Sequence, residues 1–331
     1  MTEAIISVLG ISILLYVLLG GADFGAGIVE LTLGKKGSNT VSKALAPVWE
    51  ANHIWIILAV VILFNGFPKA YTVMSTYLHI PLLLALIGII IRGSAFTFRY
   101  YDAVEGRIYN YYSWFFRISS ILTPFFLGMI LGAIIKGDIP SSTDGSFSRI
   151  FIYPWFNLFT VSTGVFLTLL FGWIASVYLI GEVKESDLKR FSRISYIFLV
   201  LLILCGALVF LSAELTGTHF FKMFLNSTIS IICVSTATLL LPVLITSISR
   251  RRILLSRLAA GAITTCILVG WFAVQFPVMI YRSHGDHVTI WNSQAPSATI
   301  YYLMIALIVG ILLVLPAFAY LFQVFKFSDK V

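Results

Sequence analysis

The run Ala46-Pro47-Val48-Trp49-Glu50-Ala51-Asn52-His53-Ile54-Trp55 sets a carboxylate, an amide and an imidazole at the mouth of an apolar segment that continues uncharged to Phe64. Pro47 suits the first turn of a helix, where its missing N–H costs nothing. Glu50 then lies near the positive end of the helix dipole, which favours its anion. Glu50 and His53 are three residues apart and project from one face. The length of uncharged sequence that follows is read as membrane-embedded. Acids at such a depth serve transport, proton relay or a buried interface. A helix cap with interfacial Trp anchors is the plainer reading of the same residues.

Working outward, composition decides the class. The 331 residues are 59% hydrophobic and 11% charged, against about a quarter charged in soluble domains. The chain is therefore read as a polytopic, all-α membrane protein. The net charge of +8 does not indicate nucleic acid, because the basic residues sit between apolar runs as membrane topology requires. Cys205, Cys233 and Cys266 all lie inside apolar runs, and their odd number argues against a disulfide framework. No Lys or Arg precedes the first apolar run, so that segment is expected to be retained, not cleaved as a signal.

Nine spanning segments of bilayer-compatible length follow. They are 4–22, 49–64, 78–96, 113–135, 156–180, 194–212, 229–248, 258–280 and 300–325, in a single membrane domain whose halves are 1–181 and 182–331. With this division only Lys69, Lys136, Arg149, Lys222 and Arg282 of the 22 Lys and Arg fall on one side. The bias predicts an external N-terminus and a cytoplasmic C-terminus.

Gly20-Gly21-Ala22-Asp23-Phe24-Gly25-Ala26-Gly27 closes the first segment. It lacks the strand context and spacing of a nucleotide-binding loop; its small residues suit close helix approach. Asp23 is expected at the depth of Glu50, His53 and Arg92. Arg92 ends a long uncharged run and needs a buried partner, for which Asp23 or Glu50 is the candidate. The alternative is that Arg92 snorkels to the headgroups. Gly128 and Gly132 have the spacing of a tight helix contact. His284 and His287 have no third metal ligand nearby.

Several motifs together resemble one family. Gly21-Ala22-Asp23-Phe24-Gly25-x-Gly27, Ala46-Pro47-x-Trp49-Glu50-x-Asn52-x-x-Trp55, Phe67-Pro68-x-Ala70-Tyr71 and Arg92-Gly93-x-Ala95-Phe96-x-Phe98-Arg99 are similar to subunit II of the cytochrome bd-type quinol oxidases of prokaryotes. Phe276-Pro277-Val278-Met279 and Trp291-Asn292 extend the likeness into the distal half.

The resemblance implies two four-helix bundles plus one peripheral helix. It implies a heterodimer in the cytoplasmic membrane with a haem-bearing subunit I that holds haems b and d, or b alone, and oxidises quinol in aerobic respiratory electron transport. Small single-helix accessory subunits and a structurally bound quinone or lipid are further partners in view. This chain is expected to bind no haem or metal and to carry no catalytic residue. Glu50, His53 and Asp23 are the candidates for a proton pathway, and Asn52, Arg92 and Arg99 for a structural polar cluster. Thr97 stands where members usually carry an acid, which puts the salt-bridge network of Arg92 and Arg99 in doubt. The competing readings are a secondary transporter and a membrane scaffold. The charged residues cluster at one end instead of the midplane, and no sequence repeat is visible, which favours the subunit.

Overall fold

The computed structural model describes residues 1–33, 52–101 and 107–322. Glu50 and the stretch from Ala46 to Ala51 lie outside the described residues. Helix α1 is one span, Thr2–Leu33, with a π-helical segment at Tyr16–Gly20. Helix α2 is Ile54–Gly66 and α3 is Pro68–Tyr77. Helices α4 (His79–Tyr101), α5 (Arg107–Lys136), α6 (Phe147–Phe151), α7 (Leu158–Leu179) and α8 (Leu188–Leu215) follow. Then come α9 (Phe220–Leu225), α10 (Thr228–Ser249), α11 (Ile253–Gln275), a hairpin of β1 (Val278–Ile280) and β2 (Val288–Thr289), α12 (Ile290–Ser293) and α13 (Ser297–Phe322). Eight of these helices are long and apolar enough to span a bilayer, or nine spans if α2 and α3 count as one bent element.

Among the boundaries that differ from the sequence reading, two have a clear physical cause. The first segment does not end at Ala22; α1 continues to Leu33 because its C-terminal half is packed against α5 and α7 instead of lipid. Buried contact replaces apolar composition there as the reason for helix. The eighth segment stops at Gln275, not Ile280. Pro277 cannot supply a helical N–H, and Gln275 Nε2 instead donates to the Met279 carbonyl at 2.6 Å.

Helix α7 is central, packing against α1, α5, α8 and α11. Small residues let it approach so closely. A Cβ on Gly25 would fall 1.8 Å from the Phe171 carbonyl oxygen, and one on Gly128 would fall 2.5 Å from that of Thr163. The Gly128/Gly132 spacing thus makes the α5–α7 contact that the sequence suggested.

The loops sort into two sides. On one, Thr2 Oγ1 donates to Gln294 Oε1, the Ala295 N–H to the Gly66 carbonyl, and the Tyr281 N–H to the Ile134 carbonyl, while Ile139 bridges Arg282. On the other, Arg190 reaches the Leu33 carbonyl, Arg251 pairs with Glu185, and Arg257 with Glu182. These are the two sets of loops that the alternation of basic residues separates.

Candidate functional site

At the C-terminal half of α1, side chains from α1, the two residues ahead of α2, α4 and α5 converge. Asp23 is 1% exposed, and its Oδ2 accepts from Asn52 Nδ2 at 2.7 Å. The same amide nitrogen lies 3.5 Å from the Leu19 carbonyl, beside the π-helical segment. Arg92 is fully buried. Its guanidinium packs over the rings of Phe24 (5.0 Å) and Phe116 (5.6 Å), and Nη1 lies 3.3 Å from His53 Nε2. Desolvated cation–π contacts of this kind contribute about 2 kcal/mol each. The Asp23 carboxylate acts on Arg92 by charge. Arg92 therefore does not snorkel: it is held inside the bundle beside Asp23, one of the two partners expected for it. The other, Glu50, lies outside the described residues.

Two turns further along, a second ion cluster appears that the sequence reading missed. Glu30 is fully buried and accepts from Arg99 Nη1 at 2.9 Å on both carboxylate oxygens and from Arg117 Nε at 2.9 Å. Arg99 also lies 4.2 Å over the Phe116 ring. Arg99 thus has a carboxylate partner although position 97 is Thr; the acid comes from a different helix. A spacing signal was available. Glu30 follows Asp23 by seven residues, and Arg99 follows Arg92 by seven, so acids on α1 and arginines on α4 recur together every two turns.

The two rungs differ chemically. Glu30 is clamped by two guanidiniums, and protonating it would strand the buried Arg99 cation and release the half-buried Arg117. It suits a lock between α1, α4 and α5. Asp23 accepts from a neutral amide, with the single guanidinium of Arg92 nearby. His53 Nε2 faces a guanidinium, which opposes its use as an axial metal ligand. Among the described residues no three of His, Cys, Asp and Glu converge as metal ligands would. The three cysteines are free thiols.

The chain's residues 1–325 match the family model described as cytochrome bd terminal oxidase subunit II. It is 27% identical over 159 residues to cytochrome bd ubiquinol oxidase subunit 2 of Bacillus subtilis (strain 168), covering 46% of this chain and 45% of that one. It is 26% identical over 178 residues to cytochrome bd-I ubiquinol oxidase subunit 2 of Escherichia coli (strain K12), covering 53% and 44%. The matched regions span about half the length of these curated relatives. In fold it is similar to a chain of the bd oxidase from Geobacillus thermodenitrificans, with a TM-score of 0.79, 18% identity and 98% of each chain covered.

Proposed function

This chain belongs to the family of cytochrome bd terminal oxidase subunit II, and we propose that it is the non-haem subunit of a respiratory quinol oxidase. In this reading a haem-bearing subunit I oxidises quinol and reduces oxygen to water, its haems supplying the electron transfer. This chain stabilises that partner, with its N-terminus outside and its C-terminus in the cytoplasm. It also contributes a proton-uptake route from the cytoplasmic side. The transporter alternative draws no support from the matches.

The observation that carries the proton role is the buried group of Asp23, Asn52, His53 and Arg92. Ionisable side chains inside a spanning bundle are costly, and they persist where they move ions or hold an interface. Oxygen reduction consumes protons, and Asn52 and His53 follow Glu50 by two and three residues in sequence. Glu50, Asp23 and His53 are the proposed carriers; Asn52, Arg92 and Arg99 hold them in place.

The test is quinol-dependent oxygen consumption per haem, measured on the complex purified from its native membrane. Glu50→Ala should lower turnover by about 10²-fold or more, the scale of positioned proton transfer when it limits. Glu50→Asp should retain much of the activity. Near-normal turnover in Glu50→Ala, with all haem bands present, would leave Glu50 a structural residue. Purification without any haem-bearing partner would refute the subunit assignment itself.

A further inference from the structure

Tyr16 stands seven residues before Asp23, so Tyr16, Asp23 and Glu30 mark α1 at intervals of two turns. The step from Asp23 to Glu30 is about 10 Å along the helix axis. The two lower rungs each meet a long arginine from α4. The corresponding position for Tyr16, seven residues before Arg92, is Ala85, which is buried and too short to reach across. Tyr16 is only 3% exposed, and its hydroxyl has no hydrogen-bond partner among the described residues. Its ring lies 6.3 Å from that of His53. The side-chain oxygen of Asn52, itself 3% exposed, is likewise without a partner among the described residues. One orphan is a donor and the other an acceptor, and they belong to one cluster. Tyr16 also opens the π-helical segment, a distortion that is often found at functional sites.

A buried hydroxyl and a buried amide oxygen left dry are costly, and proteins commonly meet that cost with an internal water. We propose that Tyr16 and Asn52 hold such a water. It accepts from the Tyr16 hydroxyl, donates to Asn52 Oδ1, and joins Tyr16 to the Asp23 group. This inference rests on the proton-uptake role proposed above and makes Tyr16 a positioning residue of that route. Tyr16 and Asn52 orient the water close to the Asp23 group and keep their own protons throughout, so no bond is made or broken at either residue and no oxidant or reductant is needed.

The experiment uses the assembled complex, with Tyr16→Phe, Asn52→Leu and, as a buried-hydroxyl control away from the cluster, Ser195→Ala. A structure resolving internal waters should show one within hydrogen-bond distance of Tyr16 Oη and Asn52 Oδ1. It should be lost in Tyr16→Phe and in Asn52→Leu. Turnover per haem in Tyr16→Phe should fall roughly tenfold, less than for loss of a carrier because the remaining groups can still recruit water. Its solvent isotope effect should rise, and Ser195→Ala should match the parent in both. A dry contact in a map that shows other internal waters would overturn the proposal. So would parent-like turnover and isotope effect in Tyr16→Phe. Were no haem-bearing partner present, the function proposed above would fail, while the water density would still decide the site.

Discussion

Replacing Glu30 with Gln keeps the shape of the side chain and removes its charge. Three contacts at 2.9 Å are affected: both carboxylate oxygens to Arg99 and one to Arg117. The amide retains one acceptor and turns a donor toward a guanidinium. Arg99 is left in place with 1% side-chain exposure, whereas Arg117, at 21%, can turn toward the membrane surface. Removing one partner of a buried ion pair costs about 3–5 kcal/mol. The freedom of Arg117 places Glu30→Gln near the lower end, at about 3 kcal/mol. Adding Arg99→Gln removes the stranded cation and should return about 1–2 kcal/mol of that loss. The reference is Glu185→Gln, which breaks the exposed pair with Arg251 and should cost under about 1 kcal/mol. Reversible denaturation in mixed micelles, followed by tryptophan fluorescence, gives the differences directly. If Glu30→Gln and Glu185→Gln destabilise equally, the Glu30 cluster is not a lock between helices. If the double variant is the weaker of the two Glu30 variants, the stranded-charge argument fails.

Two further outcomes are expected. With single cysteines introduced at the exposed Ser142 and Ser186, intact cells should be labelled by an impermeant thiol reagent at 142 and not at 186; labelling at 186 would invert the proposed orientation. Gly25→Leu should abolish stable protein, because even a Cβ there would stand 1.8 Å from the Phe171 carbonyl oxygen, and membrane yields equal to those of Gly10→Leu, where nothing lies within 4 Å, would refute the close α1–α7 contact.

Hydropathy made the spans legible because lipid selects apolar side chains wherever a helix faces it. Helices α8 and α10, with rows of exposed Leu, Ile and Val, were located within about one or two turns on that basis. The same rule failed where protein supplies the surroundings. The C-terminal part of α1, Gly21–Leu33, carries Asp23, Glu30 and three glycines, so the apolar run ends early there, yet it is almost wholly buried helix. The polar cluster was legible in part. Asp23 and Arg92 announced themselves as charges inside apolar runs, and the level they share with Asn52 and His53 followed. Glu30 was hidden behind the premature end of the span, and Tyr16 read as an ordinary aromatic. Neither could be singled out before α1 was known to continue.

The 112° bend between α2 and α3 has a consequence for reach. Phe67 closes α2, Pro68 starts α3 in a new direction, and the Ala295 N–H holds the Gly66 carbonyl at 2.8 Å. That tether works as the zero mark of a ruler. The helical path from Gly66 back to Ile54 is 13 residues, or about 20 Å at helical rise. Counting from the tethered end, Asn52 and His53 lie about 20 Å away along the α2 axis. The bend sets that reach: the ten residues of α3 turn aside instead of lengthening α2, so the tether at Gly66 registers Asn52 and His53 against the Asp23 level of α1.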